Sequence, residues 1–192
     1  MPQRDATDIP TDDPRPTTLR RAPSLVLVNT GPGKGKTTAA MGIAMRAVGH
    51  GRRVAVVQFM KSGQWRSGER IAGELLGIDW SVIGDGFTWD SDDLDLAADI
   101  AREAWAHAAA IIAAGGHDLV VLDEVTYPIT WGWIPLADVL AALRERPERV
   151  SVVLTGRDAP SALVAAADTV SASANTKHAF DAGIAALEGI DY

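Results

Sequence analysis

Short apolar runs alternate along this chain with longer segments in which apolar residues recur at helical spacing. Strands are predicted at 24–29, 53–59, 79–83, 118–123, 150–155 and 169–171, and helices at 36–49, 68–76, 92–114, 136–144 and 162–167. Leu119-Val120-Val121-Leu122 is apolar at every position, which is the pattern of a strand covered on both faces. Regular alternation of the two element types predicts right-handed βαβ units, hence an α/β fold around a mostly parallel central sheet. Ligands of such sheets bind beyond the carboxyl ends of the strands, so the chemistry is expected in 30–38, 60–70, 84–90, 123–127 and 155–158.

The first of these segments is the most specific. After the apolar strand comes Thr30-Gly31-Pro32-Gly33-Lys34-Gly35-Lys36-Thr37-Thr38, followed by the helical Ala39-Ala40-Met41-Gly42-Ile43-Ala44. Glycines let backbone N–H groups converge on phosphate oxygens, and the helix N-terminus adds its partial positive charge. Lys36 supplies a mobile cation, and the Thr37 hydroxyl is placed to meet Mg²⁺. Thr30 stands where the strict phosphate-loop pattern has Gly, so this is a variant of that loop. A glycine-rich turn with two solvated lysines is disfavoured, because strand, loop, Lys-Thr and helix fall in the required order. A dinucleotide fingerprint fails, since Lys36 occupies its last glycine position. The fold expected is therefore the P-loop (RecA-like) three-layer sandwich, with ATP as the nucleotide.

The strand 118–123 ends in Asp123-Glu124. In phosphate-loop proteins such a strand is expected beside the loop strand, offering an acid to the metal. Glu124 is the favoured contact and Asp123 the alternative, so Thr37 and Glu124 form the expected Mg²⁺ pair, with Mn²⁺ as a substitute ion. These parts are common to phosphoryl transfer, hydrolysis and other uses of ATP.

Composition narrows the partners. The chain has 192 residues, enough for one large core; 47% are hydrophobic and 22% charged. Residues 1–23, with five of the ten prolines, read as a flexible arm, and 24–192 as a single domain. The arm has no apolar stretch of signal-peptide type. A formal net charge of −7 repels nucleic acid, and the longest apolar run, seven residues from Ala108, is too short to span a bilayer. Cysteine is absent, which excludes disulfides and thiolate chemistry and suits a cytoplasmic location.

The remaining ligand-side loops carry Gln58-Phe59-Met60-Lys61, Glu69-Arg70, Gly84-Asp85-Gly86-Phe87-Thr88-Trp89-Asp90 and Thr155-Gly156-Arg157. Phe87 and Trp89 suit a wall against a flat hydrophobic ligand, although ordinary packing is the plainer reading of the pair. For the charged residues a solvated surface is the default. Taken together, the phosphate loop, Ala47-Val48-Gly49-His50-Gly51, Val57-Gln58-Phe59, Gly86-Phe87-Thr88-Trp89, Leu122-Asp123-Glu124 with Thr126-Tyr127, Thr155-Gly156-Arg157, Ala167-Asp168-Thr169-Val170-Ser171, Lys177-His178-Ala179-Phe180-Asp181-Ala182-Gly183 and the terminal Gly189-Ile190-Asp191-Tyr192 resemble the ATP:corrinoid adenosyltransferases of the vitamin B12 pathway.

In that family Co(I) of a reduced corrinoid attacks C5′ of ATP and inorganic triphosphate departs. The resemblance implies cobalamin, cobinamide or a cobyrinic acid diamide as acceptor, an electron donor such as a reduced flavin or flavoprotein, and a homodimer. It gives Lys36 the leaving triphosphate, and it sets Phe87 and Trp89 against the lower face of the corrin, where they displace the axial ligand. Three features depart from the pattern. Pro32 replaces a common Asn, Ser171-Ala172-Ser173-Ala174-Asn175-Thr176 lacks the Glu, Arg and Pro expected before Lys177, and the proline-rich arm does not match a helical cap. His178 and Asp181 are read as docking a helix rather than as catalysts. Two further readings stand beside this one: a phosphotransferase or ATPase acting on a small molecule, and a carrier that binds both ligands without joining them.

Overall fold

The computed structural model describes residues 16, 18–61, 67–84 and 94–191. Six strands, β1 (Val26–Thr30), β2 (Val54–Phe59), β3 (Asp79–Ile83), β4 (Leu119–Asp123), β5 (Ser151–Thr155) and β6 (Thr169–Ala172), form one sheet in the order β3-β2-β4-β5-β1-β6. Every neighbouring pair is parallel, as expected when each crossover is a helix. The helices are α1 (Lys36–Gly49), α2 (Gly68–Leu75), α3 (Leu94–Ala114), α4 (Thr126–Thr130), α5 (Leu136–Glu145) and α6 (Ser161–Ala166).

Side-chain parity along each strand builds two cores. Val54 and Val56 of β2, Leu119 and Val121 of β4, and Val153 of β5 pack against Ala40, Met41 and Ala44 of α1. Val57 and Phe59, Val120 and Leu122, and Val152 and Leu154 point to the other face, against Ala104, Trp105, Ala108 and Ile112 of α3, Val139 and Leu143 of α5, and Leu163 of α6. Helices on both faces of a central sheet make the three-layer sandwich that the pattern predicts. All six residues of β2 and all five of β4 are buried, which accounts for their apolar runs, interrupted only by Gln58 and Asp123 near the carboxyl ends.

One expectation is corrected. The acidic strand does not lie beside the loop strand: β5 separates β4 from β1, pairing with both. Chain order says nothing about which strands become neighbours, and the insertion of β5 brings Thr155 between the loop and the acid. A second difference is α4, which falls in a segment read as loop. Its Pro128 lies in the first turn, where no N–H is needed for the helical ladder, so proline does not prevent the helix.

Candidate active site

Parity also sorts the polar residues. Asn29, Gln58, Asp123 and Thr155 sit at the carboxyl ends of β1, β2, β4 and β5, on the side that faces α1, and all four are buried. Gln58 pairs in register with Asp123, and Asn29 with Thr155. A row of polar side chains therefore closes the α1-side core at the ligand end of the sheet.

Asp123 is the centre of this row. Its Oδ1 accepts hydrogen bonds from the Thr37 hydroxyl at 2.8 Å and the Thr155 hydroxyl at 2.7 Å. Its Oδ2 accepts from Gln58 Nε2 at 2.9 Å and Lys61 Nζ at 3.0 Å. Four donors saturate the acceptor sites of one carboxylate. Burial alone pushes the Asp123 pKa upward, but Lys61 and the hydroxyl and amide donors outweigh it and hold the group below the usual carboxylate range. Lys61 shows the converse: burial pulls its ammonium down, and the Asp123 charge more than restores it.

Glu124 differs in every respect. Its backbone N–H donates to Thr155 Oγ1 at 2.9 Å, while its carboxylate has no hydrogen-bond partner among the described residues. Burial and the neighbouring Asp123 charge raise its pKa to about 7, against the pull of Lys61, Lys36 and Arg157. An unpartnered carboxylate beside a hydroxyl already oriented by a second acid is a set of hard oxygen donors, which suits Mg²⁺. Thr37 and Glu124 are the residues that would hold the ion, with Asp123 orienting Thr37.

The phosphate loop is wrapped around its own lysine. Lys36 Nζ reaches the carbonyls of Gly31 at 2.9 Å and Gly33 at 2.5 Å. Partial burial and then Arg157 lower its pKa from the ordinary lysine value. Gly35, at φ 100°, caps α1 in the left-handed region. Gly33 N–H donates to Ser173 O at 2.8 Å, and a Cβ on Gly31 would lie 2.5 Å from that same carbonyl. These two glycines thus also admit the backbone of residues 173–174 against the loop. Lys34 forms an ion pair with Asp191 at 2.7 Å, and the Thr30 hydroxyl accepts from Ala159 N–H at 3.2 Å. Pro32 and Thr38 complete the loop.

Among the described residues, the non-glycine positions with positive φ are Met60, Glu124 and Asp158, at 61°, 62° and 53°. Each lies just beyond the end of β2, β4 or β5. Such a conformation costs about 1–2 kcal/mol per residue, and its concentration on the ligand side of the sheet marks a functional edge. Phe87 and Trp89 lie outside the described residues.

The sequence reading took Lys61 as solvated surface by default and left Gln58 and Thr155 open between packing and ligand contact, yet all three fasten Asp123. A polar residue interrupting the otherwise apolar run Val-Ala-Val-Val-Gln-Phe was the available signal for Gln58. Trp80, which bonds to Gln58, carried no signal of its own.

Residues 22–192 match the family model described as ATP:corrinoid adenosyltransferase BtuR/CobO/CobP. The chain belongs to this family. It is 48% identical over 168 residues to the corrinoid adenosyltransferase of Escherichia coli (strain K12), covering 88% of this chain and 85% of the relative. The corrinoid adenosyltransferase CobA of Salmonella typhimurium is 45% identical with the same coverage. That of Pseudomonas aeruginosa is 41% identical over 173 residues, covering 88% and 83%. The family-model match takes in the loop, the acidic strand and the C-terminal segment together. Among the described residues, no helix is long and apolar enough to cross a membrane.

Proposed function

We propose that this adenosyltransferase moves the 5′-deoxyadenosyl group of ATP onto Co(I) of a reduced corrinoid. The corrinoid cobalt supplies the electron pair of the new Co–C bond, and the C5′–O electrons leave with inorganic triphosphate. The family match over residues 22–192 carries this reading, and the Thr37–Asp123 hydrogen bond, which ties the start of the phosphate loop's helix to the acidic strand, supports a triphosphate at that end of the sheet. The protein's task is to align C5′ and stabilise charge on the departing triphosphate; the cobalt nucleophile needs no side-chain base.

Lys36 and the loop residues Thr30, Gly31, Pro32, Gly33, Lys34, Gly35, Thr37 and Thr38 form the triphosphate cradle in this scheme. Arg157, close enough to Lys36 and Glu124 to perturb both, adds a second cation on that side. Mg²⁺ held by Thr37 and Glu124 would neutralise part of the leaving group's charge. Phe87 and Trp89 serve the corrin's lower face and, with an external one-electron donor such as a reduced flavin or flavoprotein, favour the Co(I) state.

A homodimer accompanies this reading. All four residues of the edge strand β6 are exposed, Val170 among them, and Phe180, Ile184, Leu187 and Ile190 of the following segment are exposed apolar side chains as well. Sedimentation equilibrium gives twice the chain mass if that edge is shared between two copies, and the single-chain mass if it is not. For the reaction itself, the test is to incubate the protein with ATP, Mg²⁺ and chemically reduced cobalamin and follow the visible spectrum. Conversion to the adenosylcobalamin spectrum supports the proposal; a spectrum that stays that of the unalkylated corrinoid contradicts it.

A further inference from the structure

Trp80 lies on β3, separated from the loop strand β1 by the three strands β2, β4 and β5. From its indole a continuous chain of hydrogen bonds runs across the sheet. Trp80 Nε1 donates to Gln58 Oε1 at 3.0 Å, and Gln58 Nε2 donates to Asp123 Oδ2 at 2.9 Å. Asp123 Oδ1 then accepts from Thr155 on β5 and from Thr37 on α1.

The direction of this chain is set by chemistry. An indole N–H can only donate, so the end of Gln58 facing Trp80 must be its carbonyl oxygen. The amide's NH₂ is thereby turned toward Asp123. The opposite amide orientation would set two donors against each other at Trp80 and an oxygen against a carboxylate at Asp123. Gln58 is 3% exposed, so water does not make up for a wrong orientation. The indole is itself held in place: it packs on Gly73 of α2, where a Cβ would come within 2.7 Å of Trp80 Cζ3.

We propose that Trp80 and Gln58 are positioning residues for the metal-bearing end of the nucleotide. Trp80 orients the Gln58 amide, Gln58 and Lys61 hold Oδ2 of Asp123, and Asp123 fixes the Thr37 hydroxyl as a donor toward itself. The lone pairs of Thr37 are then left for the ion. The inference rests on the loop's reading as a site for ATP with Mg²⁺, and it adds residues that touch neither.

The test is equilibrium binding of ATP to the full chain, once with Mg²⁺ and once with EDTA, for the native protein, Trp80→Phe and Gln58→Leu. In both variants the Mg²⁺-supported Kd is expected to rise about tenfold, while the Kd in EDTA stays within about twofold of native. Ser81→Ala, which removes the Ser81–His107 hydrogen bond from the same strand, leaves both constants unchanged. Equal weakening in the two media would mean that Trp80 and Gln58 only pack the sheet, and no weakening would mean that the chain transmits nothing; either overturns the proposal. Should Gln58→Leu fail to fold, Trp80→Phe, which keeps an aromatic ring against Gly73, decides alone. A native protein that binds ATP in neither medium contradicts the nucleotide site itself, a result distinct from loss of the Mg²⁺ difference.

Discussion

The Thr37 hydroxyl donates to Asp123 Oδ1 at 2.8 Å, joining the first turn of α1 to the end of β4. Asp123 also holds the partly buried Lys61, so its removal has two effects. Asp123→Ala strands Lys61 without its counter-charge and is expected to lower the unfolding free energy by about 3 kcal/mol, read from the urea midpoint. In the same variant ATP binding loses its Mg²⁺ dependence. A midpoint within error of the native protein would show that the four hydrogen bonds contribute nothing net.

Glu124 predicts a pH dependence of opposite sign to that of most carboxylates. Its folded pKa, about 7, lies above the unfolded value of about 4.3, so between these limits the native state binds more protons than the unfolded one. Stability of the ligand-free protein therefore falls as pH rises through this window, with a slope of at most about 1.4 kcal/mol per pH unit. Glu124→Gln removes that slope. Thermal unfolding at pH 5, 6, 7 and 8 checks both statements, and parallel curves for native and variant would contradict the assignment.

Gly31→Ala tests the packing of residues 173–174 on the loop. Alanine at φ 95° is strained, and its methyl would meet Ser173 O. A loss of about 2 kcal/mol is expected, together with faster amide exchange at Ser173, whose N–H bonds to Thr30 O at 2.8 Å. Unchanged protection there would mean that the edge strand does not depend on this contact.

For Phe87 and Trp89 the expectation is functional. Phe87→Ala combined with Trp89→Ala is expected to keep ATP affinity within about twofold while losing most turnover that starts from Co(II), because the proposed scheme assigns the triphosphate and the corrin to different loops. Native turnover from Co(II) with a mild reductant would remove the pair from the account.

Much of the fold was legible because period and burial are local properties. Val54–Phe59 and Leu119–Asp123 read as buried strands from their composition alone, and the predicted bounds of α1 and β3 coincide with those observed. Sheet order was not legible, since β5 inserts between β1 and β4 through contacts that no local pattern records. The same gap hid part of the site. Lys36, Thr37 and the acid pair lie within motifs, whereas the bonds among Trp80, Gln58 and Asp123 exist only once β3, β2 and β4 are neighbours. Gly31 and Gly33 were assigned to phosphate approach, and their second task, admitting residues 173–174, depends on β6 lying beside β1.

In the proposed reaction the loop grips a triphosphate that leaves whole, rather than one that gives up its terminal phosphoryl group. The most direct measurement is the phosphate product, resolved by ³¹P spectroscopy after turnover with ATP, Mg²⁺ and Co(I) corrinoid. Inorganic triphosphate in one-to-one ratio with adenosylated corrinoid is the predicted result, and Lys36→Ala is expected to reduce both at least about 100-fold. Orthophosphate with ADP, formed whether or not the corrinoid is present, would contradict the account.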